Sequence, residues 1–220
     1  MEYCDQANLA QAESSFFSLA ARCFRRPDRA LAALLAEGFV SGELRNLVAC
    51  ESGDRMDAII AEVEAFEGEC CDVPADDARL RLEVDYNRLF VGPAALLAPP
   101  YESYYASQSR ESGGGRLRTA EERAVVAEYR RHGYAVPEPI AELPDHIAVE
   151  LEFISLLAGN EAAAWEAGHD DGARSVQRSQ ASFIEEHLGI WAADFSARVA
   201  SGSRTTFYPA MAALVEAYCA

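Results

Sequence analysis

Apolar positions in this chain recur three and four residues apart and rarely alternate, so the sequence reads as a succession of helices separated by turn residues. From about Asn8 to Arg25, Leu9, Ala12, Phe16, Leu19 and Cys23 share one face, and Pro27 stops the helix. Asp28 is placed to cap a short second helix with Ala30, Leu31, Leu34 and Leu35 on its apolar side, ended by Gly38. Ser41 offers the next N-cap, ahead of Leu44, Leu47 and Val48, and a longer helix is predicted over about Asp54 to Gly68. Asp76 or Asp77 would cap the following helix, which carries Leu80, Leu82, Val84, Tyr86, Leu89 and Phe90 until Gly92 and Pro93 break the pattern.

Residues 91–118 form the longest stretch without helical periodicity, apolar and aromatic at first and then glycine-rich from Gly113 to Gly115. Thr119 with Glu122 has the spacing of a capping box for a helix through Ala124, Val125 and Tyr129, stopped by Gly133. After a proline-rich connector, Pro137 to Pro144, Asp145 stands where an N-cap belongs, before Ile147, Leu151, Ile154 and Ala158. That segment reads as the clearest amphipathic helix. Three more follow, over about 172–188, Trp191 to Ala200 and Phe207 to Tyr218, the last with Pro209 in its first turn. The fold class expected is therefore all-α: a single domain over 1–220 with about ten helices and no sheet.

Composition narrows the functional classes. With 36 acidic residues against 19 basic ones the formal charge is −17, the wrong sign for neutralising a phosphate backbone, so no nucleic-acid partner is expected. Every basic residue is arginine, which excludes a Walker A loop, a Schiff-base lysine and a kinase-type lysine. The acidic excess is regional: the segments 51–85 and 132–173 each carry a net charge of about −9, and the remainder is nearly balanced. Such segments are either solvated helix faces or a field that steers a cationic partner. The start of the chain lacks the basic and apolar regions of an export signal, and no run is long enough to span a bilayer, so a cytoplasmic protein without membrane insertion is expected. Six cysteines without CxxC or zinc spacing are expected as free thiols.

Candidate chemistry is sparse. His146 and Glu150, four apart, fall on one helix face where they could share a metal or a proton, yet two ligands do not make a metal site. The other role open to the pair's neighbourhood is structural, with Asp145 capping the helix and His146 donating to a nearby carbonyl. No GxSxG or nucleophilic cysteine context occurs, and no cofactor is expected. The apolar loop is too large to leave solvated: Val91, Leu96, Leu97, Tyr101, Tyr104 and Tyr105 each contribute about 1.5 to 3 kcal/mol when buried. Either the loop folds onto the core or it lines a groove, the latter helped by the rigidity of Pro99 and Pro100.

Three motifs, in order, carry a resemblance: Tyr86-Asn-Arg-Leu-Phe-Val-Gly-Pro93, Pro99-Pro-Tyr-Glu-Ser103, and Leu143-Pro-Asp-His-Ile-Ala-Val-Glu150 followed by Leu151-Glu-Phe153. In these the sequence resembles the TorD/DmsD/NarJ family of cytoplasmic redox-enzyme maturation chaperones, most strongly from about 80 to 160. The resemblance implies an all-helical, non-catalytic protein that binds the twin-arginine signal peptide of a molybdenum-cofactor oxidoreductase and holds back export until the cofactor is loaded. It implies as partners that peptide and the molybdoenzyme's catalytic subunit, with the chaperone a monomer or homodimer. The family's binding surface falls on Leu89, Phe90, Pro100, Tyr101, Pro144, Asp145 and His146, where some members have tryptophan in place of Tyr101. Glu102 and Glu150 join Asp145 as carboxylates for the client's arginines. The competing expectation is a small helical metal- or ligand-dependent enzyme using His146, Glu150 and nearby carboxylates.

Overall fold

The Asp28 carboxylate accepts the Leu31 N–H at 2.9 Å, opening a helix over Arg29–Ala36 that Gly38 closes with φ +69°. The computed structural model describes residues 2–47, 53–92, 96–108, 115–136 and 142–219, and within them eleven α-helices and no strand. These are α1 (Glu2–Phe24), α2 (Arg29–Ala36), α3 (Phe39–Leu47), α4 (Asp54–Cys71), α5 (Ala75–Tyr86), α6 (Glu102–Gln108), α7 (Ala120–Arg131), α8 (Ile147–Glu166), α9 (Asp170–Glu186), α10 (Ala192–Gly202) and α11 (Phe207–Tyr218). One π-helical turn, Asn87–Val91, follows α5, and a 3₁₀ turn, Leu188–Ile190, follows α9. The all-α expectation therefore holds, and Gly133 stops α7 with φ +69° as its position predicts. The Gly113–Gly114 half of the glycine run, residues 137–141 of the connector, Pro93, Val48, Cys50 and the side chain of Cys4 lie outside the described residues. Cys23, Cys70, Cys71 and Cys219 are free thiols.

The helix starts differ from the local reading, for one physical reason. Ser41 is no N-cap: it lies inside α3, where the buried Glu67 of α4 accepts the N–H groups of Val40 (2.9 Å) and Ser41 (3.1 Å) and the Ser41 hydroxyl. Asp76 and Asp77 sit in the first turn of α5, where carboxylates favour the helix dipole, and Pro74 takes the cap position. The Thr119–Glu122 capping box does not form, because the Thr119 hydroxyl turns to Glu121. Asp145 does not cap α8 either: His146 does, its Nδ1 accepting the Ala148 N–H at 3.1 Å. His146 is thus an acceptor where a donor was expected. The stretch 91–118 contains α6, and α8 is not amphipathic at its start, since Ile147 to Leu151 are all buried.

The chain divides into two compact units, each discontinuous in sequence: Met1–Ala21 with Tyr101–Trp191, and Arg22–Pro100 with Ala192–Ala220. The first is built on α8 packed along α9, with Phe153 tilted against Tyr129 at 4.7 Å and edge to face with Phe183 at 4.8 Å between ring centroids. In it the Ser14 and Ser155 hydroxyls of α1 and α8 each donate to the other residue's backbone carbonyl. The second packs α2 and α3 on α4, and α4 on α11 through stacked Phe66 and Phe207. Phe90 sits at its centre, ringed by Phe24, Tyr86, Phe195 and Tyr208.

Glu67→Ala leaves two buried N–H groups at the start of α3 without an acceptor. We expect it to lower stability by about 2 kcal/mol, read from chemical denaturation, with Glu67→Gln costing much less because its carbonyl oxygen keeps both bonds.

Candidate functional site

The residues singled out in the sequence fall into both units. In the second unit, Leu89 and Phe90 are buried in the core, Ala98, Pro99 and Pro100 are buried, and the Ala98 N–H donates to the Leu89 carbonyl at 3.1 Å. Gly202 is the neighbour that makes room: a Cβ there would stand 3.0 Å from Leu89 Cδ2 and 3.3 Å from Leu97 Cβ. Of the apolar loop, Tyr105 is buried against Trp191 in a stacked pair at 5.3 Å, whereas Val91 and Leu97 stay exposed. The loop thus goes partly to core, and not as a whole.

In the first unit, Tyr101, Glu102, Pro144, Asp145, His146 and Glu150 come together although more than forty residues separate the two strips that hold them. Tyr101 and His146 form an isolated antiparallel bridge, and their rings meet edge to face at 5.2 Å. Beside it, the Glu102 N–H donates to the Asp145 carbonyl (3.1 Å), and the Ser103 N–H donates to Asp145 Oδ2 (2.9 Å). Asp145 therefore caps a helix after all, but that helix is α6 and not its own. The Tyr129 hydroxyl donates to the Pro144 carbonyl at 2.9 Å and fixes the same turn from α7.

Glu102, Asp145, His146 and Glu150 are all buried, with at most 1% of their surface exposed. His187 Nδ1 donates to Glu102, 3.0 Å from Oε2, and Trp191 Nε1 donates to Glu150 Oε2 at 3.3 Å. Burial pushes the Glu150 carboxyl well above the usual carboxylate range, reinforced by the neighbouring charges of Glu102 and Asp145. Burial likewise raises Asp145, against the lowering effect of the Ser103 bonds, and raises Glu122 of α7, which also feels Asp145. One oxygen each of Asp145 and Glu150 has no hydrogen-bond partner among the described residues.

His146 and Glu150 do not converge on a shared ligand. The His146 ring caps α8 with Nδ1 and turns Nε2 toward Glu142 Oε2, 3.8 Å away, while Glu150 faces Trp191 and Glu102. Among the described residues no group of three or more His, Cys, Asp or Glu side chains is arranged to hold a metal ion. The carboxylate at the open rim is Glu142, which accepts the hydroxyl of half-buried Tyr101 at 3.2 Å. Glu142, His187 and Trp191 are absent from the sequence-based site. No local signal marks them, because Glu142 lies within the proline-rich connector, and His187 and Trp191, on either side of the 3₁₀ turn after α9, are 85 and 41 residues from their partners.

Comparison with known proteins agrees with these motifs. A model of the family described as nitrate reductase delta subunit matches residues 55–197. The chain is 30% identical over 149 residues to chaperone protein TorD of Vibrio vulnificus (strain YJ016), covering 67% of this chain and 65% of that protein. It is 30% identical over 142 residues to chaperone protein TorD of Vibrio cholerae serotype O1 (strain M66-2), covering 64% and 60%. The aligned part thus spans less than two thirds of the length of these relatives. A crystal structure of a candidate redox enzyme maturation protein from Archaeoglobus fulgidus is similar with a TM-score of 0.50 and 21% identity, covering 94% of this chain and 92% of that one.

The fold is thus the all-helical fold of that crystal structure. The chain belongs to the TorD/NarJ family, the one whose model is described as nitrate reductase delta subunit. No described helix is long and apolar enough to cross a membrane.

Proposed function

We propose that this protein is a cytoplasmic, non-catalytic maturation chaperone that binds the twin-arginine signal peptide of a molybdenum-cofactor oxidoreductase and retains it until the cofactor is loaded. The observation that carries this reading is the Tyr101–Glu142–His146 corner: an accessible aromatic ring beside an accessible carboxylate, on a turn held by buried hydrogen bonds. A guanidinium can lie on such a ring and bond such a carboxylate at once. In this reading Glu142 and Tyr101 touch the client, and Asp145, Glu102, Glu150 and His146 keep the corner in shape. The acidic segments steer the approach of the basic peptide, so association slows as salt rises.

A disordered peptide gives up about 2 to 5 kcal/mol in ordering, so micromolar affinity and ready release are expected. The test is titration of a labelled twin-arginine peptide into the native protein and its variants. Glu142→Gln should weaken binding about tenfold at unchanged melting temperature, and Tyr101→Ala should weaken it as much or more. Replacing the peptide's arginines by lysines should also weaken it, because the charge stays and the planar fork goes. Asp145→Asn keeps the acceptor for the Ser103 N–H and should affect binding less than Glu142→Gln. Native affinity in both Tyr101→Ala and Glu142→Gln would overturn the assignment.

A further inference from the structure

On the first unit, away from the Tyr101 corner, α7 and α9 enclose a cavity of about 500 Å³, within the size range of small-molecule sites. Phe183 and His187 are its buried lining, and Arg131 of α7 and Arg178 of α9 line it from the two helices. Two carboxylates also line it, and each already has a partner: Glu128 pairs with Arg131 at 2.8 Å, and Glu186 accepts the Ser182 hydroxyl at 3.0 Å. Among the described residues Arg178 forms no ion pair with a carboxylate, although the cavity it lines holds two. Ser175 and Ser179, one turn apart on the same helix, add hydroxyls, and the Ser179 hydroxyl spends its proton only on its own helix carbonyl at 3.2 Å.

We infer that this cavity binds a small molecule through an oxyanion group, phosphate or carboxylate, held by Arg178 with the Ser175 and Ser179 hydroxyls and assisted by Arg131. A guanidinium is the side chain best matched to such a group, offering a planar fork of donors that serine hydroxyls complete. The buried lining gives the site a second property. His187 lines the cavity with its ring and bonds Glu102 with Nδ1, so an anion lodged there rests against the residue that holds the buried carboxylate cluster. Occupancy would therefore register at Glu102 and at its neighbour Tyr101, which is a coupling and does not depend on what Tyr101 binds.

Calorimetric titration of the full chain with inorganic phosphate, pyrophosphate and succinate tests the inference, and the preferred probe identifies the oxyanion. Saturable binding of at least one probe is expected, weakened about tenfold or more in Arg178→Ala and unchanged in Arg55→Ala, whose side chain is exposed on α4. In a parallel titration followed by NMR, the ring resonances of His187 should shift with the same binding isotherm. Arg178 lies on an exposed helix surface, so its replacement should leave the melting temperature alone, and Ser179→Ala supplies an independent weakening. Absence of saturable binding of all three probes overturns the inference, as does native affinity in Arg178→Ala.

Discussion

Asp85→Ala lowers the stability of the protein by about 2 to 3 kcal/mol, the cost of leaving buried hydrogen-bond donors without their acceptor. Asp85 is 1% exposed and points from α5 into the turn that joins α10 to α11. Its carboxylate accepts the Ser203 and Thr205 hydroxyls at 2.6 and 2.8 Å and the N–H groups of Arg204 and Thr205 at 3.0 and 3.1 Å. Alanine removes this acceptor from all four donors, leaving the Ser203 hydroxyl with the Thr205 carbonyl, the Thr205 N–H with the Ser203 hydroxyl, and the Arg204 N–H and Thr205 hydroxyl with nothing in the turn. Asparagine should cost less, since its carbonyl in the place of Oδ2 keeps a bond from each of the four donors and its amide nitrogen opposes only the Arg204 N–H. Guanidinium denaturation of Asp85→Ala and Asp85→Asn checks both, and a loss under about 1 kcal/mol in the alanine variant would mean that the turn finds other acceptors.

Glu150→Gln raises stability, and more so at high pH. A buried carboxyl whose affinity for its proton is higher in the folded than in the unfolded chain contributes fully below the ordinary carboxylate range. Its contribution is lost as pH rises through the raised value. Glutamine mimics the protonated form at every pH, can accept from Trp191 and can donate to Glu102. The two proteins should therefore melt together near pH 4 and diverge toward pH 8, by about 1 to 4 kcal/mol, or several degrees in melting temperature. Asp145 and Glu122, raised by burial in the same cluster, act in the same direction and steepen the native curve. A pH-independent difference would show that Glu150 does not titrate in this range.

Helix identity and most helix ends were legible because their determinants are local: Asp28, Gly38, Gly133 and the first-turn Pro209 act within a few residues of themselves. Helix starts at α3 and α6 were not, because their acceptors come from Glu67 and Asp145, 26 and 42 residues away. Residues 102–108 also carry too few turns for a helical period to show in the sequence. The Tyr101–His146 pairing was legible only through motifs, since nothing in either strip announces the other. Burial of Leu89 and Phe90 follows the ordinary rule for large apolar side chains. Burial of Glu102, Asp145 and Glu150 does not, and it is intelligible only once His187, Trp191 and Ser103 are seen to meet them.

The discontinuity of the second unit bears on how the protein is made. A ribosome releases α2 to α5 long before α10 and α11, yet Phe66 waits for Phe207, and Asp85 waits for Ser203 to Thr205. Throughout translation of residues 101–191, the apolar face around Leu31, Phe66 and Phe90 lacks its last covering helices. A nascent chain stalled before α10 should then be held by general chaperones and cut readily by protease within α2 to α5, and release of the final helix should end both.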